Sequence, residues 1–305
     1  MGEPGSGLRS SPAIAEALRS GRPVVALETT IFSELGLPSP SNREALDRVT
    51  AAIETGGAVP ALTAVLDGQL RVGLERGEHD RICGPARKVA ARDLPVATAG
   101  GWSYGATTVS ASVTLAAAAG IPVFATGGIG GVHRGWATTG DISADLPALA
   151  RHPVITVTAG AKVFLDLAAT VEHLETASVP VLGWRCDHFP AFHAPASAVA
   201  LTTRVESAAE VAAIARAHWA IGGGGIVVAA PVPEADGIPL DELNELVERA
   251  LAEADEVSGP AVTPEVLGRL GALSGGRTVT ANLALAEHNA VVAAEIAAAL
   301  ASTGP

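Results

Sequence analysis

Short apolar runs without polar alternation recur along this 305-residue chain, and helical stretches separate them. Such runs are typical of strands that are buried on both faces, and their alternation with helices indicates a largely parallel sheet. No internal repeat and no long linker divides the pattern. We therefore predict an α/β fold, in which a flexible tail over residues 1–10 precedes a single α/β/α domain over residues 11–305.

The runs also give a coarse map of the elements. Predicted strands cover residues 23–28, 94–100, 121–128, 152–160, 179–184 and 224–231, and a hairpin over 60–73 turns at Asp67-Gly68. Predicted helices cover residues 41–57, 105–119, 144–151, 161–177, 207–220, 240–255, 263–273 and 281–301. The last helix is rich in alanine, and we expect it to pack in the core.

Charge and composition exclude several classes of function. Acidic residues outnumber basic ones by 32 to 20, and the net charge of −12 disfavours nucleic acid as a partner, although a local pocket can still bind a small anion. The two cysteines, Cys83 and Cys186, predict no disulfide framework and suit a reducing compartment. The N-terminus lacks the apolar segment of a signal peptide, and glycines and prolines interrupt the uncharged stretch 94–132, so we predict no membrane span there.

Reactive side chains follow several of the predicted strands. Glu28 ends the run VVALE, the glycine-rich loop 127–135 follows VFAT, and Lys162 follows VITV within the segment TAGAK. Ligands of open α/β sheets bind beyond the carboxyl ends of the strands. These three positions are therefore candidates for a common site.

Lysine is rare in this chain. Of 20 basic residues only Lys88 and Lys162 are lysines, and the other 18 are arginines. An amine can act as a nucleophile when burial lowers its pKa, whereas a guanidinium stays protonated. Lys162 lies within an apolar run, which favours a nucleophile, but a lysine that packs its stem on apolar surface and reaches solvent is the alternative.

The loop and the acidic residues after it suggest binding roles. Backbone N–H groups of residues 127–131 could hold a phosphate, although a tight turn explains the glycines equally well, and His133 at the end of the loop favours an anion. Ser143 and Asp145 are explained as a helix cap and a first-turn acid. Asp141 lies outside that helix and is free to bind a hydrated divalent ion, while the scattered histidines predict no zinc site.

Ten sequence blocks closely resemble the pseudouridine-5′-phosphate glycosidase family, also called pseudouridylate synthase or indigoidine synthase A-like. The similarity runs in register from about residue 11 to the C-terminus. The blocks are VVALETT (24–30), GLPSPSN (36–42), GGAVPA (56–61), KVAARDLP (88–95), GATTVSAS (105–112), FATGGIGGVHRG (124–135), DISADL (141–146), AGAK (159–162), VAAPVPE (228–234) and TANLALAEHNA (280–290).

The resemblance implies reversible cleavage of pseudouridine 5′-phosphate to uracil and ribose 5-phosphate by a cytoplasmic, Mn²⁺-dependent homotrimer that needs no nucleic acid or membrane. Mg²⁺ or another divalent ion is the alternative cofactor. By the same resemblance, Lys162 forms the covalent adduct with C1′ of ribose, Glu28 donates the proton and Asp141 binds one Mn²⁺ per subunit. The substrate-binding positions are then Lys88, Val109, His133, Ser143, Ala144, Asp145 and Asn282.

The bond to be cleaved explains why a lysine is needed. Ordinary glycosidases cleave C–O or C–N bonds with two carboxylates. A C–C bond releases the base as a carbanion, so the sugar must accept electrons, and a protonated imine between C1′ and a lysine amine can do so. A carboxylic acid then moves protons to the ring oxygen or to C5 of uracil.

Two segments depart from the family pattern. SELGLP (33–38) carries an extra residue and lacks the histidine of the commoner SHGMP-type segment, and AGGWSYGATT (99–108) replaces a shorter segment resembling AGKNGATT. We expect both to affect base specificity. The alternatives are a lysine-dependent C-glycosidase, lyase or aldolase acting on a related sugar phosphate with a different base, and a non-catalytic trimeric binding protein.

Overall fold

The protein is described by a computed structural model that covers residues 7–253 and 262–302. Within these residues, 11 strands form one sheet in the order β1-β4-β3-β2-β7-β9-β13-β11-β12, with β6 paired to β3 and β5 paired to β6, and β8 and β10 form a separate antiparallel pair. The α/β prediction is confirmed.

The strands are short. They are β1 (Leu8–Ser10), β2 (Val24–Leu27), β3 (Val59–Leu66), β4 (Gln69–Val72), β5 (Arg87–Val89), β6 (Tyr104–Thr107), β7 (Val123–Ala125), β8 (Val132–His133), β9 (Ile155–Thr158), β10 (Leu165–Asp166), β11 (Val181–Trp184), β12 (Thr203–Val205) and β13 (Ile226–Ala229).

The helices differ widely in length. They are α1 (Pro12–Arg19), α2 (Ser41–Thr55), α3 (His79–Ile82), α4 (Leu94–Ala99), α5 (Val109–Ala119), α6 (Trp136–Thr139), α7 (Asp145–Arg151), α8 (Leu167–Thr176), α9 (Ala208–Ala220), α10 (Leu240–Glu253), α11 (Val262–Leu273) and α12 (Arg277–Ser302).

The centre of the sheet is parallel and buried. β2, β7, β9 and β13 pair in parallel, and every one of their residues is buried. This explains why their sequences show no polar alternation. Because the strands are parallel, their carboxyl ends share one edge of the sheet, and residues 28, 126–131 and 159–162 meet there.

Helix α12 is the main helix packed on this part of the sheet. It contacts β2, β7, β9 and helix α2, while α5 contacts β2, β3 and β7. By length and composition α12 could cross a membrane, but 56% of its apolar window is buried inside the protein. The helix therefore belongs to the core, as predicted from its alanine content.

Four predictions about elements are wrong in part. The predicted helix 161–177 begins only at Leu167, because Leu165–Asp166 form β10. Leu8–Ser10 belong not to a flexible tail but to strand β1, which pairs in parallel with Leu70–Val72, while residues 1–6 of the predicted tail lie outside the described residues. Residues 94–100 were predicted as a strand, but Leu94–Ala99 form helix α4. The predicted helix 105–119 begins only at Val109, because Tyr104–Thr107 form β6.

Candidate active site

Glu28 follows β2 and lies almost entirely inside the protein, with 8% of its surface exposed. Thr126, at the end of the neighbouring strand β7, donates a hydrogen bond from Oγ1 to Oε1 of Glu28. Burial raises the pKa of Glu28 to about 7, and the charge of Lys162 and the Thr126 hydrogen bond oppose that rise. A carboxyl group with this pKa can both give and take a proton near neutral pH.

Lys162 follows β9 and is held beside the glycine-rich loop. Its backbone N–H donates to the carbonyl of Ile129 at 3.1 Å, and its carbonyl accepts from Leu165 at 3.0 Å. Gly160 makes this turn possible, because it has φ +82° and a Cβ there would lie 2.1 Å from the carbonyl oxygen of Pro190. The half-buried side chain of Lys162 faces the same compartment as Glu28.

Lys88, in β5, is the second amine of the site. Burial lowers the pKa of Lys88, and the positive charge of Lys162 lowers it further, while Asp145 and Glu28 oppose the change. The charges of these three groups affect the pKa of Lys88 because the groups lie close to it, at two adjoining cavities. Both lysines of the chain therefore belong to one site.

Asp145 fixes the glycine-rich loop. Its carboxylate is 5% exposed and accepts from the backbone N–H of Ser110 and from that of Gly130, each at 2.8 Å. Gly130 has no room for a side chain, since a Cβ would lie 2.3 Å from Oγ of Ser143. Asp145 lies in the first turn of α7, as predicted, and it also joins the start of α5 to the loop.

Two of the loop N–H groups predicted to bind a phosphate already donate hydrogen bonds within the protein. The N–H of Ile129 donates to the carbonyl of Gly160 at 3.0 Å, and that of Gly130 donates to Asp145. These two N–H groups are therefore engaged within the protein. Ser143 does not cap α7, because the helix begins after Ala144, but its Oγ accepts from the N–H of Asp145 at 3.2 Å.

The predicted site residues line two adjoining compartments. The first, here called the polar cavity, has a volume of about 250 Å³ and carries positive charge from Lys88, Arg92 and Lys162. Its lining residues are Lys88, Ala90, Arg92, Asp93, Thr108, Ser110, Gly130, His133, Asp141, Ile142, Ser143, Ala144, Asp145, Lys162, Phe164 and Leu165.

The second compartment, here called the apolar cavity, has a volume of about 50 Å³ and shares Lys88, Thr108 and Lys162 with the first. Its lining residues are Glu28, Thr30, Ile31, Leu35, Gly36, Lys88, Thr108, Val109, Gly127, Gly128, Lys162, Phe192, Leu267 and Asn282. Between them, the two cavities bring together all ten residues that the sequence singled out. Their individual roles remain predictions.

Several residues of the site escaped sequence reasoning. Thr126 and Arg92 lie within blocks that resemble the family, but nothing in the local pattern gives them a partner. Phe192 lies far along the chain but lines the apolar cavity. Its N–H donates to the carbonyl of Ala159 at 3.0 Å, which holds the residue beside the end of β9. The only signal for Thr126 was its position at the end of a strand.

Of the two segments that depart from the family pattern, only 33–38 contributes its unusual residues to the lining of a cavity. Leu35 and Gly36 line the apolar cavity, as expected for an effect on specificity. Trp102 instead stacks on the guanidinium of Arg87, at 3.3 Å from the ring centroid, and the buried Tyr104 hydroxyl donates to the carbonyl of Ile82 at 3.0 Å. Neither aromatic residue lines the polar or the apolar cavity, which argues against the expected effect of segment 99–108.

Asp141 lies at the exposed rim of the polar cavity. Its Oδ2 is 3.7 Å from Nδ1 of His133, and 57% of its side chain is exposed. Residues 7–253 and 262–302 contain no group of three or more His, Cys, Asp or Glu side chains that could hold a metal. One carboxylate at an open rim fits a hard divalent ion that keeps most of its water ligands, and does not fit structural zinc. Cys83 and Cys186 are free thiols, as predicted.

Comparison with known proteins agrees with this architecture. Residues 13–299 match the family model described as indigoidine synthase A like protein. Pseudouridine-5′-phosphate glycosidase of Methylobacterium nodulans is 48% identical over 97% of this chain and 89% of its own length. The Deinococcus radiodurans protein of the same name is 47% identical over 96% and 95%.

Two solved structures share the fold along nearly the whole chain. The prealnumycin C-glycosynthase AlnA, in complex with ribulose 5-phosphate, superimposes with a TM-score of 0.89 at 38% identity and covers 98% of both chains. An indigoidine synthase A-like protein from Thermotoga maritima gives a TM-score of 0.88 at 36% identity over 96% of both chains. The chain therefore belongs to the indigoidine synthase A-like family.

Proposed function

We propose that this protein is an enzyme that reversibly cleaves the C–C glycosidic bond of pseudouridine 5′-phosphate, giving uracil and ribose 5-phosphate. The observation that carries the proposal is the pairing of Lys162 with Glu28 in the apolar cavity, where the pKa of the acid is raised to about 7. The names of the relatives that are 47–48% identical support the same reaction.

The two compartments divide the substrate by polarity. The phosphate and sugar oxygens suit the polar cavity, where Lys88, Arg92, His133 and the segment Ser143–Asp145 supply charge and hydrogen bonds. The flat base suits the apolar cavity between Val109 and Phe192. The buried Oδ1 of Asn282 has no hydrogen-bond partner and can accept an N–H of the base.

The side chains then account for each proton and electron pair. Glu28 donates a proton to the ring oxygen as the C1′–O4′ bond breaks and the neutral amine of Lys162 bonds to C1′. The new ammonium returns a proton to Glu28. Electrons of the C1′–C5 bond move to uracil, the nitrogen lone pair forms the C1′=N iminium, and Glu28 protonates C5. Water hydrolyses the iminium to release ribose 5-phosphate and the amine, and the proton set free returns to Glu28.

Asp141, with His133 beside it, would hold the Mn²⁺ or Mg²⁺ that the family resemblance implies. A bound ion would supply positive charge next to the phosphate and sugar oxygens of the substrate. We expect Asp141→Asn to weaken Mn²⁺ binding by about 10-fold or more, measured from the electron paramagnetic resonance signal of free Mn²⁺. Asp187→Asn, at an exposed ion pair with Arg204, is the matched control, and equal affinities in the two variants would exclude Asp141 as the ligand.

Trapping the covalent intermediate tests the central step. Borohydride is expected to reduce the imine formed from ribose 5-phosphate, so that peptide mass spectrometry finds a stable sugar adduct on Lys162. Lys162→Ala removes the amine and should form no adduct, because arginines cannot replace it. Lys88→Ala keeps Lys162 and should still form the adduct. An adduct on Lys88, or one that persists in Lys162→Ala, would refute the assignment.

A lysine-dependent aldolase acting on a sugar phosphate is the alternative reaction class. It would use Lys162 equally well but gives no reason for an apolar compartment beside the amine. Incubation of uracil with ribose 5-phosphate separates the two. Formation of pseudouridine 5′-phosphate supports the C-glycosidase, whereas carbon–carbon cleavage of the sugar phosphate without uracil supports the aldolase.

We further propose that the protein is a cytoplasmic homotrimer. The support is the family resemblance, together with two free thiols that suit a reducing compartment. Light scattering coupled to size-exclusion chromatography is expected to give a particle of three 30.5 kDa chains. A monomeric or dimeric mass would contradict the trimer without affecting the proposed reaction.

A further inference from the structure

A third compartment, here called the side cavity, lies next to the apolar cavity and has a volume of about 310 Å³. The segment 34–38, His193, helix α11 and the first turns of α12 enclose it. Its lining residues are Glu34, Leu35, Gly36, Leu37, Pro38, His193, Leu267, Gly268, Gly271, Ala272, Thr278, Val279 and Asn282.

The side cavity and the apolar cavity share one wall. Leu35, Gly36, Leu267 and Asn282 line both compartments. Half of this wall comes from the segment 33–38, where the chain departs from the commoner family pattern. The divergence in sequence therefore falls at the boundary between the proposed base site and additional space.

Buried polar atoms mark the side cavity as more than an apolar gap. Both ring nitrogens of His193 lack hydrogen-bond partners, and the residue is only 1% exposed. Nearly all buried polar atoms in proteins are paired, so these atoms point to a ligand. Burial lowers the pKa of His193 to about 3, and the neutral ring offers one donor and one acceptor.

We propose that the side cavity receives the distal part of a base larger than uracil, namely a cyclic carbon acid with a substituent that carries hydrogen-bonding atoms. The inference rests on the proposed function, because the same carbon–carbon bond to C1′ is formed. In the synthetic direction the ring C–H of the carbon acid and the aldehyde of ribose 5-phosphate become a C–C bond and one water. No oxidant or reductant is required.

The test compares uracil with uracils that carry a hydroxypropyl chain at N1, N3 or C6, each incubated with ribose 5-phosphate. At least one of the three is expected to react with a kcat/KM equal to or above that of uracil. Mass spectrometry of the product identifies the C-nucleotide. Failure of all three while uracil reacts would overturn the inference and leave the proposed function intact, whereas failure of uracil as well would overturn both.

A blocking variant locates the extra space. Gly268 lines the side cavity but not the apolar cavity, and a Cβ there would meet no atom within 4 Å. Gly268→Leu should lower kcat/KM for the hydroxypropyl uracil by at least about 10-fold and leave uracil unchanged, and Gly268→Ala is the control. Equal effects on both acceptors would show that the substituent binds elsewhere.

A second variant tests the polar contact. His193→Leu removes both ring nitrogens and keeps an apolar side chain of similar size. It should lower kcat/KM for hydroxypropyl uracil relative to the corresponding butyl uracil, because only the hydroxyl loses a partner. An unchanged ratio between these two acceptors would contradict a role for His193, and retained activity with uracil shows that the variant is folded.

Discussion

At the scale of single residues, Glu28 is subject to opposing influences. Burial and, to a smaller extent, the charge of Asp145 raise the pKa of Glu28. The positive charges of Lys162 and Lys88 and the hydrogen bond from Thr126 lower it. The result is a carboxyl group with a pKa of about 7. The acid is therefore about half protonated at neutral pH, which is the condition for donating a proton and recovering it in one catalytic cycle.

The pH dependence of cleavage should show this group directly. Above pH 7 Glu28 loses the proton that it must donate, so kcat/KM is expected to fall as the pH rises through about 7. Thr126→Val removes a hydrogen bond that stabilises the ionised form, so the pKa rises and the fall moves about one unit to higher pH. Stopped-flow or steady-state rates between pH 5 and 9 would measure the shift.

A neighbouring threonine provides the control. Thr156 is fully buried in β9, and its Oγ1 has no hydrogen-bond partner, so Thr156→Val makes the same chemical change without touching Glu28. Its pH profile should match that of the unmodified protein. If both variants shift alike, or if neither does, the Thr126 hydroxyl does not set the pKa of Glu28.

At the scale of elements, helix α12 holds the catalytic edge of the sheet. Asn289 is completely buried, and its Nδ2 donates to the carbonyls of Thr126 and Gly127 at 2.7 and 3.3 Å. These carbonyls lie at the point where β7 ends and the glycine-rich loop begins. The helix therefore positions the residue that hydrogen-bonds to Glu28, although it lies over 160 residues away in sequence.

Removing this amide should weaken both folding and catalysis. Asn289→Ala removes the amide donor from the Thr126 carbonyl and leaves the Gly127 carbonyl with the N–H of Ala159 alone, so we expect the free energy of unfolding to fall by about 1–3 kcal/mol. Thermal unfolding at fixed protein concentration, with kcat on the same samples, would measure both effects. Asn244→Ala, on the exposed side of α10, should change neither. A stable Asn289→Ala variant with full activity would contradict the positioning role.

The elements also show where sequence reasoning works and where it fails. The central strands were predictable because burial on both faces leaves a continuous apolar run, and their shared edge made Glu28, the loop and Lys162 neighbours. The helix Leu94–Ala99 was not predictable in this way. It buries only Leu94 and Ala97, which are one helical turn apart, and a short apolar run does not show which of its residues are buried. The hydrogen bonds of Asp145 and Thr126 depend on distant segments, so no local pattern predicts them.

At the scale of the whole molecule, charge is distributed unevenly. The chain carries a net charge of −12, yet its two lysines both line the same cavities, beside Arg92. The site thus concentrates basic side chains in a molecule whose net charge is negative, although Asp93, Asp141 and Asp145 line the polar cavity beside them. No other lysine occurs in the sequence.

Amine labelling should therefore report on the site. Reductive methylation is expected to modify the half-buried Lys88 and Lys162 slowly when no ligand is present. Ribose 5-phosphate should protect both lysines, since it occupies the cavity that they share. Peptide mass spectrometry would follow each amine separately, and ribose without phosphate serves as the control ligand. Labelling of both lysines at the same rate with and without ribose 5-phosphate would contradict a common binding site.

The contribution of α12 has a consequence for biosynthesis. Translation proceeds from the N-terminus, so a ribosome has already made the acid, both amines and the glycine-rich loop before it reaches Arg277. A nascent chain stalled at that point lacks Asn282 and the Asn289 amide that fixes Thr126 and Gly127. Activity should accordingly appear only late in synthesis, after this helix has emerged from the exit tunnel and covered the apolar sheet.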